Sequence, residues 1–436
     1  MTFSEAQAHL DRLGVDAMKH LAPTLTRIEA ICEALNHPER AVPAIHITGT
    51  NGKTSTAAIC TSLLGATGLS VGTYTSPHLV SVTERISLGG QPISEEEFGE
   101  VFAHLQPFLQ LTEERLGETL SYFEVLTAMF FLWAAEKPVD ALVVEVGLGG
   151  RWDATNVVPA QVAAITNVGF DHMQLLGKDR PTIAAEKSGI IKEGSLAVTG
   201  ERTPDVLAVI EAEARTNGVD LSVFERDFHL RDNRLAVGGR YLSLSVGTRS
   251  YEDLFLPLHG AHQGVNAAVA LEAVTRFLPG RELDEDVVAE GFATARVPGR
   301  LEIVRQGTAT TATALLDVAH NPDGMSALVT SLIEAFAFEK VHLVLGILAD
   351  KDYEGMLREL GRLDARLIVT EAASVRSVPA PELGEAAERL GLEATVIDDV
   401  PSAIRQAVRD AGPGDLICIT GSHYVVGEAR GHLVRS

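Results

Sequence analysis

At 436 residues, with 46% hydrophobic and 22% charged side chains, the chain is long enough for two or three domains with full-sized cores. A formal charge of −23 excludes a general nucleic-acid or membrane surface, so an anionic ligand would need a local concentration of cations. Cys32, Cys60 and Cys418 lie too far apart in sequence for a zinc spacing or a disulfide framework, and read as small core residues.

The N-terminal stretch MTFSEAQAHLDRLG has no basic-then-apolar leader pattern. The longest nearly apolar run, Val125 to Ala135, is closed by Glu124 and Glu136 and reads as a buried helix, so a cytoplasmic protein is expected. A helical preface is expected over residues 1–40, where Ile28, Ile31, Cys32 and Leu35 keep helical spacing. Apolar runs at 44–48, 71–75, 141–146 and 162–168 then alternate with helical stretches, clearest at 55–67 and 124–136. That alternation predicts a mainly parallel sheet covered by helices. Over 221–246 the period changes to two: Leu235 and Val237, then Leu242, Leu244 and Val246, flank Gly238-Gly239 and predict an antiparallel hairpin, within an appended region of about 221–257. A helix over 264–277 follows, Pro298-Gly299 reads as a hinge, and runs 313–318, 341–347, 366–370 and 415–420 predict a second, smaller α/β domain.

The segment AIHITGTNGKTST at 44–56 carries the most chemistry. Ile45 and Ile47 end in a Gly-Lys-Thr loop, and Ala57, Ala58, Ile59, Leu63 and Leu64 begin a helix at once. Gly49 and Gly52 let backbone N–H groups close round phosphate oxygens at a helix N-terminus, and Lys53 adds a point charge. Only Thr50 and Asn51 separate the two glycines, shorter than the common GxxxxGK[ST] spacing.

Ligands of open α/β sheets sit beyond the carboxyl ends of the strands, and the polar residues of this chain gather there. Run 71–75 leads into Thr75-Ser76-Pro77-His78, run 141–146 into the segment from Glu145 to Asn156, and run 162–168 into Gly169-Phe-Asp171-His172. A carboxylate in a buried strand needs a cation, and Mg²⁺ takes few protein ligands beside phosphate oxygens and water. Glu145, His172 and Ser76 are therefore the candidate metal ligands. In the second domain Asp317-Val-Ala-His-Asn-Pro322 ends a strand with polar residues in tight succession. Composition alone makes Lys187, in Ala184-Ala-Glu-Lys-Ser-Gly189, one more solvated lysine, and Gly421-Ser422 a loop.

In their order, the segments from Thr48 to Thr54, Ser76-Pro-His-Leu79, Tyr122-Phe-Glu124, Glu145 to Asn156, Asp171-His172, Glu186-Lys187, His262-Gln263 with Asn266, Pro298-Gly-Arg300 and Asp317 to Pro322 resemble folylpolyglutamate and dihydrofolate synthases, of the wider Mur-type ligase superfamily. The resemblance runs from Ile45 to Ser422. It implies a P-loop parallel-sheet ATPase domain with a small antiparallel β appendage over 1–297, and a smaller Rossmann-like α/β glutamate-ligase domain over 298–436.

It also implies an ATP-dependent amide ligase that phosphorylates a pteroate or folate carboxylate and couples L-glutamate to it. Lys53, Lys187 and His320 would be catalytic, and Gly49, Thr50, Asn51, Gly52, Lys53, Thr54, Ser55, Asn266, Arg300 and Asp317 would hold the nucleotide. Ser76, Glu145 and His172 would hold Mg²⁺, with a carbamylated Lys187 helping at a second Mg²⁺. His320 and Ser422 would handle glutamate, while Phe123, Arg151 and Asp153 would line the acceptor site. Only small-molecule partners, and a monomer, are expected. One departure is Thr54 directly after the loop lysine, where folate-type members usually have glycine. That form is more typical of peptidoglycan-precursor ligases, the alternative reading. Ser76-Pro-His-Leu79 and Tyr122-Phe-Glu124 favour folate.

Overall fold

A computed structural model describes residues 1–14, 24–278, 280 and 283–433. The stretch of the expected preface at 15–23 lies outside the described residues. On either side of it are the helices Phe3–Leu13 and Thr26–Ala34, the second burying Ile28, Ile31 and Cys32.

Eight strands build the first sheet: β1 Ala44–Thr48, β2 Val71–Tyr74, β3 Ile86–Leu88, β4 Gln91–Pro92, β5 Ala141–Glu145, β6 Val162–Ile165, β7 Leu196–Thr199 and β8 Leu221–Val223. Their order is β4-β3-β2-β5-β1-β6-β7-β8, parallel except for the hairpin strands β3 and β4. Successive side chains of a strand face opposite ways, and the sheet buries both faces. Ile45 and Ile47 meet one core with the helices Lys53–Ala66 and His262–Phe277, while Tyr74, Leu142 and Val144 meet a second core with Glu95–Leu116 and Tyr122–Glu136.

The helix predicted over 124–136 starts at Tyr122, because Ser121 caps it: Ser121 Oγ accepts from Glu124 N, and Glu124 Oε2 accepts from Ser121 N. The helix predicted over 55–67 likewise starts earlier, at Lys53, straight after the Gly52 cap.

Two strand expectations need correction. Run 162–168 stops as a strand at Ile165, since Thr166, Asn167 and Val168 turn away to bond the loop after β1 and neighbouring residues. The region 221–246 is not one hairpin. β8 belongs to the large parallel sheet, and β9 Phe228–Ala236, β10 Gly239–Val246 and β11 Arg249–Leu256 form a separate antiparallel sheet of order β11-β10-β9. Leu242, Leu244 and Val246 enter the core with helix His262–Phe277, whereas Leu235 and Val237 at the turn are exposed.

The third sheet contains β12 Glu302–Arg305, β13 Thr313–Leu316, β14 Val341–Leu345, β15 Ala365–Glu371, β16 Ala394–Asp399 and β17 Leu416–Thr420, in the order β12-β13-β17-β14-β15-β16. It is parallel apart from β12, and has an apolar core on each face. The chain is thus two α/β units. Leu79, in the loop after β2, packs against the core of the second unit beneath helix His423–Leu433. A Cβ on Gly427 would lie 2.0 Å from the Leu79 carbonyl oxygen, so only glycine allows that approach. Among the described residues, no helix is long and apolar enough to cross a membrane.

Candidate active site

The carboxyl ends of β1, β2, β5 and β6 face the ends of β13, β14 and β17 across a cavity of about 710 Å³. At its centre the loop Gly49–Gly52 joins β1 to the helix Lys53–Ala66. Gly52 has φ +83°, and a Cβ there would sit 2.4 Å from Asn266 Oδ1; a Cβ on Gly49 would meet Thr166 Oγ1 at 1.8 Å. Both glycines are required by close approach. The tail of β6 straps the loop down: Asn51 N donates to Asn167 Oδ1 (3.0 Å), Thr166 Oγ1 to the Asn51 carbonyl (2.6 Å), and Thr50 Oγ1 to the Gly169 carbonyl (3.1 Å). Lys53 Nζ donates to the carbonyls of Gly49 (3.0 Å) and Thr50 (3.2 Å), so the lysine closes its own loop. Burial lowers its pKa, against the opposing charges of Glu145 and Asp171.

Glu145, at the end of β5, is 1% exposed. Its Oε1 accepts from Thr54 Oγ1 at 2.9 Å and its Oε2 from Ser76 N at 3.3 Å. Burial raises its pKa, and Lys53 pulls it back. Ser55, by contrast, turns from the cavity centre and accepts from Gln263 Nε2 at 3.3 Å, while Asn266 Nδ2 donates to Gln263 Oε1 at 2.9 Å. Of the two hydroxyls after Lys53, that of Thr54 is the one at Glu145.

On the other side of β1, His172 has the left-handed φ of 49° and Asp171 draws the second unit in. Lys351 Nζ donates to Asp171 Oδ1 at 2.6 Å and lies 3.1 Å from His172 Nε2. His320 Nε2 stands 3.5 Å from Asp171 Oδ2, and Asn321 Nδ2 donates to the same oxygen at 3.5 Å. Although burial raises it, the His320 hydrogen bond and the Lys351 charge hold the Asp171 carboxyl well below the usual range. Burial pushes His172 down to about 4, leaving a neutral ring whose Nε2 accepts from Lys351. His320 Nδ1 lies 2.8 Å from the Val318 carbonyl, which can only accept, so Nδ1 carries a proton.

Lys187 lines the cavity at 3% exposure, and burial followed by the Lys53 charge pushes its ammonium down to about 7. Asp317 accepts from Leu301 N (3.0 Å) and Ala319 N (2.9 Å), bracing the turn next to Arg300; burial raises its pKa and Arg300 opposes this. Ser422 Oγ accepts from Val425 N at 3.2 Å. Phe123 and Asp153 line the far side, where a Cβ on Gly147 would meet Phe123 Cζ at 2.5 Å. Asp153 accepts from Leu148 N and from the Thr155 N–H and hydroxyl.

Every expected site residue but one lines this cavity: Gly49 to Ser55, Ser76, Phe123, Glu145, Asp153, His172, Lys187, Asn266, Arg300, Asp317, His320 and Ser422. Arg151 is the correction. Its guanidinium turns out to Glu213 Oε1 (2.9 Å) and the Ala185 carbonyl (3.3 Å), which satisfy it away from the cavity. Sequence reasoning missed Lys351, Asn167 and Thr166. The first stands in Asp350-Lys351-Asp352 just beyond β14, where the strand-end rule applies equally. Among the described residues, no three His, Cys, Asp or Glu side chains group as a metal centre.

Two family models match the chain: Mur ligase middle domain over residues 47–274 and Mur ligase, glutamate ligase domain, over 299–423. The dihydrofolate synthase/folylpolyglutamate synthase of Mycobacterium tuberculosis is 40% identical, over 94% of this chain and 89% of its own. The chain belongs to this family of Mur ligases. Among solved members, Mycobacterium tuberculosis folylpolyglutamate synthase complexed with ADP has a TM-score of 0.93 at 39% identity, covering 100% of this chain and 98% of the other. A folylpolyglutamate synthase complex with AMPPCP and folate has a TM-score of 0.87 at 31% identity, covering 100% of both.

Proposed function

We propose that this Mur ligase family member is an ATP-dependent ligase that adds L-glutamate to dihydropteroate, to reduced folates, or to both, through an acyl phosphate. The observation that carries the reading is the meeting, in one cavity between two α/β units, of the Lys53 loop, the buried Glu145 carboxylate and the second-unit residues Arg300, Asp317, His320 and Ser422. Its relatives are named for folate ligation, and one was solved with an ATP analogue and folate.

In this reading the loop N–H groups and Lys53 bind the triphosphate, and Asn266, Arg300 and Asp317 hold the rest of the nucleotide. Breaking the bonds of Lys53 to the Gly49 and Thr50 carbonyls frees its ammonium for phosphate oxygens. Mg²⁺ fits the oxygen donors: a buried carboxylate and the Thr54 and Ser76 hydroxyls suit a hard cation that keeps phosphate and water ligands, and His172 joins them once Lys351 leaves its Nε2. Glu145, Ser76 and His172 would hold it, and bound there it would neutralise charge developing on the transferred phosphoryl group. A second Mg²⁺ is assigned to Lys187 as its carbamate. An amine with pKa near 7 is neutral often enough to take up CO₂, which an ordinary lysine is not. Phe123 and Asp153 take the acceptor, whose carboxylate attacks ATP; His320 and Ser422 orient glutamate, whose amine expels phosphate. Closure of the two units excludes water from the acyl phosphate.

We place the unit boundary at 297/298, within the Val297–Arg300 turn, and assign the protein to the cytoplasm as a monomer. ATP-dependent phosphate release with L-glutamate, comparing 7,8-dihydropteroate and tetrahydrofolate and weighing products by mass, tests the reading. Glutamylated product from either acceptor is expected. No product from either, with Mg²⁺ and bicarbonate supplied, would overturn it.

A further inference from the structure

The acceptor side of the cavity contains a guanidinium that the reaction above does not use. Arg85 ends the 3₁₀ turn Val82–Arg85 after β2, where its carbonyl accepts from Thr75 N at 3.0 Å. It is 5% exposed, yet among the described residues no carboxylate pairs with it. Nε donates to His78 Nδ1 at 3.0 Å, and the guanidinium carbon stands 5.3 Å over the Tyr122 ring. Arginine is always charged and has five N–H donors in one plane, and among the described residues only the Nε of this buried cation has an acceptor. Such a charge is costly unless something pairs with it. Arg85 lines the cavity, as do Ser76, Tyr122, Phe123 and Asp153.

Arg85 directly precedes β3, and its carbonyl pairs with Thr75 at the end of β2, in the order β3-β2-β5-β1, whereas the phosphate loop follows β1. A planar fork whose orientation is fixed by the Tyr122 face and the His78 hydrogen bond is matched to a carboxylate, which accepts two parallel N–H bonds.

We propose that Arg85 determines acceptor specificity by binding the substrate carboxylate that does not react. This rests on the folate-ligase reading, in which the two acceptor classes differ in one relevant group. Pteroate has a single carboxylate, and that one must be phosphorylated. An acceptor ending in a glutamyl residue has two, so one stays an anion throughout. Arg85 thereby favours glutamyl-terminated acceptors over pteroate.

The test measures kcat/KM for tetrahydrofolate and 7,8-dihydropteroate with the full chain and with R85Q and R85K, using KM for ATP as the folding control. R85Q should shift the tetrahydrofolate/dihydropteroate ratio toward dihydropteroate by at least about tenfold, carried by KM, with R85K in between because it keeps charge and loses the fork. A tetrahydrofolate analogue with its non-reacting carboxylate made a carboxamide should lose a similar factor on the unmodified protein and lose no more on R85Q. That analogue arm stands even where a variant does not fold. An unchanged ratio, a loss confined to kcat, or full activity of the carboxamide would overturn the proposal while leaving the ligase reading intact. Turnover of dihydropteroate alone would overturn it as well. Absence of product from both acceptors would instead bring down the ligase reading beneath it.

Discussion

Lys351 Nζ lies 2.6 Å from Asp171 Oδ1, a contact between the loop after β14 in the second unit and the loop after β6 in the first. The two side chains are 6% and 10% exposed, so the pair is sheltered from solvent screening. Removing one partner of a buried pair strands the other, at a cost of about 3–5 kcal/mol. Lys351→Met should therefore lower the thermal midpoint of the nucleotide-free protein and speed hydrogen exchange around residues 169–176 and 346–353. His320 and Asn321 also face Asp171, so the loss should fall toward the lower end of that range. Asp171→Asn in the same chain should recover part of it. Additive losses in the two variants would mean the pair is not coupled.

Lys187 carries a pH signature. Burial and the neighbouring Lys53 hold its ammonium at about 7, while Asp171, Glu186 and Asp153 oppose them. Between pH 7 and the ordinary lysine value of about 10.4, the unfolded chain binds a proton that the folded chain does not, so this residue's contribution to stability rises with pH over that window. Below pH 7 the penalty for burying the charge is present in full. Carbamate formation needs the neutral amine, so turnover with bicarbonate should fall as pH drops below 7. Lys187→Ala should be nearly inactive and regain activity when short-chain carboxylic acids are added. Unchanged turnover in Lys187→Ala would remove it from the catalytic set.

The phosphate loop and the parallel sheet were readable because strand, glycines and helix are contiguous, and because Glu145, Asp171 and Asp317 each follow an apolar run. What resisted reading depends on which way a side chain turns. Arg151 lies in the same segment as Asp153, yet Glu213, from the helix Pro204–Thr216, draws it outward. Thr54 and Ser55 are adjacent hydroxyls on a helix, about 100° apart round its axis, and only the positions of Glu145 and Gln263 assign them. β8 fell within the stretch 221–246 read as a hairpin from the alternation around Gly238-Gly239; its partner is β7, which local periodicity does not reveal. Lys187 gave no sign in composition, since its depressed pKa comes from burial among distant residues.

Glu145 separates a structural from a metal role. Its two oxygens hold Thr54 and the Ser76 N–H, and either role predicts that Glu145→Ala is damaged. Glu145→Gln keeps the size and one acceptor oxygen but removes the charge. A stability change of about 1 kcal/mol or less is expected, because hydrogen bonds between neutral groups remain. Turnover should fall at least about a hundredfold, with the Mg²⁺ concentration for half-maximal rate displaced upward. A Glu145→Gln enzyme with an unshifted Mg²⁺ requirement would exclude Glu145 as a metal ligand.

His46, on β1 and 0% exposed, reaches the acceptor side of the cavity through one hydroxyl. Its Nε2 lies 2.8 Å from Thr155 Oγ1, and Thr155 Oγ1 lies 2.5 Å from Asp153 Oδ1. The Thr155 proton goes to the carboxylate, so Thr155 must accept from a protonated Nε2. That leaves Nδ1 bare, and Nδ1 is the buried ring atom without a hydrogen-bond partner. Burial accordingly holds His46 well below the usual histidine pKa. Once unfolded it titrates near 6.5, so as pH falls past that value the unfolded chain gains a proton that the folded chain refuses, and stability drops. His46→Gln removes this component, and its fall in stability from pH 7 to 5 should be shallower than that of the unmodified protein by about 1–2 kcal/mol. His46→Leu should lose about 1–3 kcal/mol at pH 7 by leaving Thr155 without a donor. It should also raise KM for the acceptor more than KM for ATP, because the relay ends at Asp153. Urea unfolding at the two pH values, with both KM values, checks this, and equal pH slopes for His46→Gln and the unmodified protein would rule out a neutral buried His46.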